Sequence, residues 1–487
     1  MKVLDEILNG IEVIRVSGDT RVMVSSITSD SGKAGTGAVF VAVKGTRTDG
    51  HLFINQAVSS GAVVVVCEKA PPEGFPGVVT VTVPDSAAAL GYMASAFWGN
   101  PSASLRLVGV TGTNGKTTIA TLLYRMFTEL GYKCGLLSTV CNYVHERQYE
   151  ASHTTPDPVA LNGILAEMVD AGCEYAFMEV SSHASDQKRI AGIEFSGGIF
   201  TNLTHDHLDY HKTFDNYLAA KKRFFDGLGS RAFALVNADD RNSRVMIQNC
   251  RAAVHSYSLT RLAEYRASVS ELRLDGMSLN IGGREVWTPF LGGFNASNLL
   301  AVYAASRLLG AAEEEALRVL SALTPVAGRL EIIRSEEGIT GLVDYAHTPD
   351  ALKNVTDTIN RVRMGSVKLI TVIGAGGDRD RTKRPLMASI AAAASDVLIL
   401  TSDNPRTEDQ ERILDEMEAG LNSVLRKKMM RIADRRSAIR TGVRLAVPGD
   451  IVLVAGKGHE TYQEINGIRH HFDDREELRN AFMDLNL

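Results

Sequence analysis

At 487 residues the chain is too long for one hydrophobic core, so roughly two to four domains are expected. Hydrophobic residues at 45% and charged residues at 22% are the proportions of a soluble globular enzyme. A formal net charge of −5 argues against a general attraction to nucleic acid or an anionic membrane, so any anionic ligand must be held by local groups. Cys67, Cys134, Cys141, Cys173 and Cys250 are scattered, odd in number and without a CxxC pair, which predicts reduced thiols and neither a disulfide framework nor a zinc site. Asp5 and Glu6 stand where a signal peptide would need a basic then apolar run, and the densest apolar stretch, Ala62 to Cys67, is too short to cross a bilayer. A cytoplasmic protein is expected.

Punctuation by Gly and polar clusters separates three regions: 1–103, 104–327 and 328–487. The first has short strand-like runs at Val39–Val43 and Ala62–Val66 and closes at the turn-rich Trp98-Gly99-Asn100-Pro101-Ser102. The second opens on the apolar strand Leu105–Val110, passes a Gly-rich turn and enters a helix with Leu122, Leu123, Met126, Phe127 and Leu130 at three- and four-residue spacing. Strands expected at Tyr175–Val180, Gly198–Thr201 and Ala232–Val236 alternate with helical stretches, which predicts a mostly parallel sheet covered on both faces. In the third region Leu369–Ile373, Val397–Thr401 and Ile451–Ala455 alternate with helices again, a second, Rossmann-like doubly wound domain. The fold class is therefore α/β in three domains. Ligands of open α/β sheets gather at the carboxyl ends of strands, so the loops there are where chemistry is sought.

The strongest of these loops is Gly112-Thr113-Asn114-Gly115-Lys116-Thr117-Thr118, between a strand and a helix. Glycines let backbone N–H groups close around phosphate oxygens, the helix N-terminus adds favourable partial charge, Lys116 would reach the terminal phosphates and Thr117 would ligate Mg²⁺. The match to the general phosphate loop is imperfect, since its first glycine falls on Val110. Glu179, ending an apolar strand before Val180-Ser181-Ser182-His183, is a carboxylate suited to Mg²⁺; the alternative is a strand-end acid capping the next helix. The run from Thr201 to His211 packs three His and two Asp, including His205 and His207, directly after a strand; zinc is possible there, although no Cys is near and a nucleotide-linked Mg²⁺ is already implied. Gly374-Ala375-Gly376-Gly377-Asp378-Arg379, Ser402-Asp403-Asn404-Pro405-Arg406 and Gly456-Lys457-Gly458-His459-Glu460 each follow a C-terminal strand. Arg pairs bidentately with carboxylates and Asp or Glu with ammonium groups, so these loops suit an amino-acid substrate; the alternative is ion pairing on solvated loops.

Together these residues resemble the Mur ligases of peptidoglycan synthesis, over essentially the whole chain. The resemblance rests on Gly112 to Thr118, Glu179 to His183, His205 to Tyr210, Tyr217-Leu218-Ala219-Ala220-Lys221, Asn295 and Asn298, Gly328-Arg329-Leu330-Glu331 and Asp344-Tyr345-Ala346-His347. Asp403-Asn404-Pro405-Arg406 is similar to the signature of the member that adds meso-diaminopimelate. The resemblance implies an N-terminal uridine-nucleotide domain, a central ATPase and a C-terminal amino-acid domain. It implies ATP and Mg²⁺, a γ-carboxylate of UDP-N-acetylmuramoyl-L-alanyl-D-glutamate activated as an acyl phosphate, and attack by meso-diaminopimelate. It implies small-molecule partners only, no nucleic acid or membrane, and a monomer.

By motif position, Ser29, Ser31, Thr46, Arg47 and Thr48 resemble uridine-nucleotide contacts, and His153, Thr154, Thr155, Ser181, Gln187 and Arg189 resemble contacts to the muramoyl peptide. His207 aligns with a magnesium ligand; Asn295, Arg329, Asp344 and His347 resemble nucleotide contacts; Arg379, Asp403, Asn404, Pro405, Arg406, Gly456 and Glu460 match the amino-acid pocket. The family places a carbamylated lysine, a metal ligand, at the last position of Tyr-x-x-Ala-Lys, here Lys221, whereas charge pattern alone reads Lys221-Lys222-Arg223 as a solvated basic run. Carbamylation needs a neutral amine, and a nearby Mg²⁺ would depress the lysine pKa. Competing expectations are a lysine-adding Mur ligase, a folylpolyglutamate synthase-like ligase, which would lack the N-terminal domain, and a non-catalytic nucleotide switch, which would need no Arg- and Asp-bearing loops on a second domain.

Overall fold

Apolar runs bounded by glycine and polar clusters become the buried strands. Leu369–Ile373 and Ile451–Ala455 form over the expected residues, and the others, Ala62–Cys67 among them, begin or end within about two residues of expectation. The computed structural model describes residues 1 to 486 except Arg47, Glu73, Ser152, His205 and His207, and for Leu208, Asp209 and Asn486 the backbone alone. The expected metal ligand His207, its neighbour His205 and Arg47 of the uridine segment therefore lie outside the described residues.

Among the described residues the main sheets have five, eleven and six strands. In the N-terminal sheet Ser26–Thr28, Ala38–Val41, Ala62–Cys67 and Val79–Thr82 run parallel, and Arg15–Ser17 adds an antiparallel edge. Its helix Ser86–Phe97, capped by the Asp85 side chain, packs on Pro158–Asp170 of the next region. An ion pair between Lys188 and Asp85 reinforces that contact.

The central sheet is built around Arg106–Thr111, which lies between Tyr175–Glu179 and Gly197–Phe200, both parallel to it. Cys134–Leu137 continues it in parallel on one side, and Phe233–Asn237 and Ala253–Ser258 on the other. An antiparallel meander, Tyr265–Arg273, Gly276–Ile281 and Arg284–Thr288, completes that flank. The helix Lys116–Glu129 buries Ile119, Leu122, Leu123, Met126 and Phe127 against the sheet, where Phe127, Tyr175 and Phe177 make an aromatic cluster with ring centroids 4.4 and 5.4 Å from Phe127. On the opposite face Phe214–Asp226 buries Tyr217, Ala220, Lys221, Phe224 and Phe225.

In the C-terminal sheet Thr340–Asp344, Ile451–Ala455, Leu369–Ile373, Val397–Leu400 and Met429–Arg431 run parallel, with Glu331–Arg334 antiparallel at the edge. Helices Pro349–Val362 and Lys383–Ala394 cover one face; Arg435–Leu445 and Asp474–Met483 cover the other. This is the three-part α/β architecture expected, with the carboxyl ends of the central and C-terminal parallel strands opening on a shared cleft of about 1660 Å³. No helix among the described residues is long and apolar enough to cross a membrane, and all five cysteines are free.

Candidate active site

The phosphate loop follows Arg106–Thr111 and is held by the neighbouring strand's exit. Asn114 N–H donates to Asn202 Oδ1 at 3.0 Å, and Thr201 Oγ1 donates to Asn114 O at 2.6 Å. Gly112 must be glycine: its φ is +150°, and a Cβ there would lie 1.8 Å from Thr201 Oγ1. Lys116 folds back on the loop, donating to Gly112 O at 2.9 Å and Thr113 O at 2.8 Å. The C-terminal domain reaches this loop directly: Arg329 donates to Thr117 Oγ1 at 3.1 Å, and Asn114 Nδ2 donates to Asp350 Oδ2 at 3.2 Å.

Glu179 is 1% exposed at the end of its strand. One carboxylate oxygen accepts Thr139 N–H at 2.6 Å, and the other, buried, has no hydrogen-bond partner among the described residues. It does not cap a helix; Ser181 does that, accepting from Ala184 N–H. An unpartnered buried carboxylate oxygen costs free energy unless something cationic completes it. With Thr117 and Asp206 also lining the cleft, the donor set is oxygen-rich, as a hard divalent cation requires. Among the described residues no group of three or more His, Cys, Asp or Glu is placed as a metal cluster.

The expected muramoyl-peptide residues form one connected network around Glu179. Thr155 Oγ1 donates to Glu179 O at 2.8 Å and accepts Ser181 N–H at 3.2 Å; Arg189 donates to Thr155 O at 2.9 Å and grips Gln187 Oε1 through two donors at 3.0 and 2.7 Å. Thr139 Oγ1 donates to Thr154 at 3.0 Å, and His153 lines the same cleft. Ser29, Ser31, Thr46 and Thr48 do not line it. Ser29 and Ser31 follow the strand Ser26–Thr28, and Thr46 and Thr48 follow its parallel neighbour Ala38–Val41; Ser31 donates to Gln56 at 3.2 Å.

Lys221 is 1% exposed, so it is no part of a solvated run, whereas Lys222 pairs with Asp226 at 2.5 Å and Arg223 with Asp186 at 2.5 Å. Its Nζ donates to Gly112 O at 2.8 Å, the carbonyl that Lys116 also uses. Burial first, and the neighbouring Lys116 ammonium second, hold the Lys221 pKa well below the ordinary lysine range, against a smaller opposing pull from Asp206. The depression expected from Mg²⁺ thus arises from the protein itself.

Asn295 from the central domain and Arg329, Asp344 and His347 from the C-terminal side line the cleft near the phosphate loop. Asp344 is pushed up to about 6 by burial, opposed by Arg329 and by the Leu330 N–H it accepts at 2.6 Å. Burial, then Lys383, pulls His347 down to about 4, and burial, then Arg329, pulls His459 down to about 3. Both rings are neutral at pH 7. Arg379, Asp403, Asn404, Arg406, Gly456 and Glu460 all face the same cleft. Arg406 donates to Gly377 O at 2.7 Å and does not pair with Glu408, which is taken by Arg384 and Arg381. Pro405 is buried in the turn, its carbonyl accepting Glu408 N–H at 3.0 Å.

Sequence patterning missed the supports behind these loops. Arg384 and Arg435 look like members of basic helical faces, yet both are fully buried: Arg384 on Glu408 and Glu416, Arg435 on Asp474. Tyr345, whose ring lies 4.5 Å under the Arg329 guanidinium, was masked by its motif neighbours.

A doubly wound scaffold that turns a phosphate loop, a buried carboxylate and arginine-bearing loops into one cleft defines a nucleotide-using enzyme that acts on carboxylate-bearing substrates. Family models described as Mur ligase family, catalytic domain, Mur ligase middle domain, and Mur ligase, glutamate ligase domain match residues 23–98, 110–306 and 328–458. The chain belongs to the Mur ligase family, enzymes that form amide bonds using ATP. It is 54% identical over 479 residues to a UDP-N-acetylmuramoyl-L-alanyl-D-glutamate--2,6-diaminopimelate ligase of Bacteroides thetaiotaomicron, covering 98% of this chain and 99% of that one. The ligase of the same name from Phocaeicola vulgatus is 56% identical with the same coverage. A solved structure of a ligase bearing that name superposes with a TM-score of 0.71 at 35% identity, covering 100% of this chain and 99% of the other.

Proposed function

We propose that this chain joins meso-diaminopimelate to the D-glutamyl γ-carboxylate of UDP-N-acetylmuramoyl-L-alanyl-D-glutamate, converting ATP to ADP and phosphate. The observation that carries this reading is the single cleft in which the phosphate loop, Glu179 with its peptide-side network, and the Asp403-to-Arg406 loop all meet. Relatives more than half identical over nearly the full length are named for that reaction.

A carboxylate does not react with an amine until one oxygen becomes a leaving group. The γ-carboxylate oxygen takes the terminal phosphoryl group of ATP, releasing ADP; the substrate amine then attacks the acyl carbon, and the tetrahedral intermediate expels phosphate and loses a proton. Lys116, released from its loop carbonyls, offsets charge on the moving phosphoryl group, the principal task in such transfers. Asn295, Arg329, Asp344 and His347 hold the nucleotide; Thr154, Thr155, Ser181, Gln187 and Arg189 orient the peptide; Arg379 and Arg406 take the carboxylates of the incoming amino acid, and Asp403 and Glu460 its distal ammonium. Ser29, Ser31, Thr46 and Thr48 hold the uridine end. Mg²⁺ would be held by Thr117, Glu179 and a carbamylated Lys221, where it neutralises phosphate charge. For the last of these the neutral Lys221 amine adds to the carbon of CO₂ and releases a proton to solvent, a step that its burial beside Lys116 favours. The protein acts as a monomer on small molecules.

The test is a coupled ADP-release assay. Release is expected only when ATP, Mg²⁺, the UDP-muramoyl dipeptide and meso-diaminopimelate are all present; equal rates without the dipeptide would sink the reading.

A further inference from the structure

One charged side chain behind the wall of the amino-acid pocket has no role in the scheme above. Lys457 follows Gly456 at the end of Ile451–Ala455 and is 0% exposed, so it cannot touch substrate. Its Nζ donates to Asn404 Oδ1 at 2.9 Å and lies 3.4 Å from Glu460 Oε2 and 3.8 Å from Asp403 Oδ1. One buried ammonium therefore meets three residues of the pocket, drawn from two loops.

Two consequences follow. Asn404 Oδ1 also accepts Glu464 N–H at 2.9 Å, so both of its oxygen lone pairs are committed; its NH₂ must then face the other way, where it donates to Glu460 Oε2 at 2.7 Å. The second consequence concerns charge. Asp403 and Glu460 together carry two negative charges and Lys457 returns one. The other buried cation alongside, Arg435, is matched by Asp474 at 2.7 Å and spends its other donors on Ser402 O and Ala455 O. Arg406 also acts on Asp403; once it turns to a substrate carboxylate, the two acids in their ionised forms leave one negative charge for a substrate ammonium to complete. The loops are pressed close enough for this: Gly456 has φ of +119°, and a Cβ there would lie 2.7 Å from Asp403 Oδ2.

We propose that Lys457 is the positioning residue of the amino-acid pocket, a buried cation that sets the Asn404 amide and holds Asp403 and Glu460 as an acid pair completed by one substrate ammonium. This rests on the reading of that pocket given above.

The experiment uses the full chain with Lys457→Met, and Lys457→Gln as a neutral variant that keeps hydrogen-bond donors should the first fail to fold; retained nucleotide binding reports folding. The KM for meso-diaminopimelate is expected to rise about tenfold or more while the KM for ATP stays within about twofold. The acid limb of kcat/KM for the amino acid is expected to move to higher pH. Glu460 is faced by Asp403, Lys457, Arg435, Tyr345, Tyr462 and Asn404, and losing Lys457 removes a cation that favours its ionised form. Parallel changes in both KM values, no change, or an unmoved acid limb would overturn the proposal. An unmutated chain with no meso-diaminopimelate-dependent release would instead overturn the pocket reading, and this proposal with it.

Discussion

Arg406 illustrates what a single residue contributes to selectivity. Meso-diaminopimelate and lysine differ by one distal carboxylate, so discrimination requires a cation left unmatched when lysine binds. Arg406 lines the cleft, is steadied by its bond to Gly377 O, and has φ of +53°, a left-handed backbone that aims the side chain at some conformational cost. Leaving a desolvated arginine unpaired costs about 2–5 kcal/mol. Arg406→Ala is expected to lower kcat/KM for meso-diaminopimelate by roughly thirtyfold or more with little change in nucleotide binding; comparable kcat/KM for lysine and diaminopimelate in the unmutated chain would refute the assignment. At Glu179 the expected variant is Glu179→Gln, which keeps the acceptor for Thr139 N–H but loses the charge. Turnover should fall by roughly a hundredfold or more and the Mg²⁺ concentration for half-maximal rate should rise; an unchanged Mg²⁺ dependence would show that the carboxylate has another task. These residues were legible in sequence because Glu179 ends an apolar strand and Arg406 sits in a punctuated loop after one. Lys457 lay in such a loop too, but its burial and its three partners come from a fold that brings residues 403 and 460 together, which no local pattern encodes.

Among the elements, the buried parallel strands were the easiest to find: with both faces covered they read as unbroken apolar runs, as at Ile451–Ala455. The short edge strands were not foreseen; Arg147–Tyr149 is exposed along its length and carries no period to read. The loops gain their geometry from one another. The loops after Leu369–Ile373 and Val397–Leu400 are laced by Gly377 N–H to Asn404 O at 2.8 Å, by Asp378 N–H to Glu408 at 2.6 Å, and by Arg384, which donates to Gly376 O and Glu408. Arg384 also holds the Glu408 carboxyl down at about 2. Arg384→Ala would leave Glu408 and Glu416 with only the exposed Arg381 and Arg412 as cationic partners and is expected to destabilise the C-terminal domain by about 1.5–3 kcal/mol, readable as an earlier denaturation midpoint; no shift would mean that these partners and solvent suffice. In the phosphate loop, Gly112→Ala would drive a methyl into Thr201, and loss of nucleotide binding without loss of the sheet core is the expected result, checked by calorimetric titration and circular dichroism.

At the level of the whole molecule, pH acts through the neutral buried rings. His347 and His459 have folded pKa values of about 4 and about 3, below the ordinary histidine value of 6.5. The unfolded chain therefore takes up protons that the folded one refuses, and the stability they contribute is complete above about pH 6.5 and is lost as pH falls toward 4. Thermal denaturation followed across that window should show a falling midpoint, less steep in His459→Gln; an identical slope would exclude that ring. Asp344 acts in the opposite sense. Its raised pKa of about 6 means that its contribution to stability declines as pH rises through that value, while nucleotide affinity, which uses the ionised form, should improve over the same range and lose that dependence in Asp344→Asn.

Lys116 rests on two carbonyls of its own loop. A ligand that displaces it must offer the ammonium something better than those contacts, and only a chain of phosphates does so. Adenosine, however well its base and sugar fit, has nothing to trade and should compete poorly, whereas ADP should compete well. The resting loop thus grades its visitors by the length of their anionic tail before any ring is recognised, and an abundance of free nucleosides leaves it undisturbed.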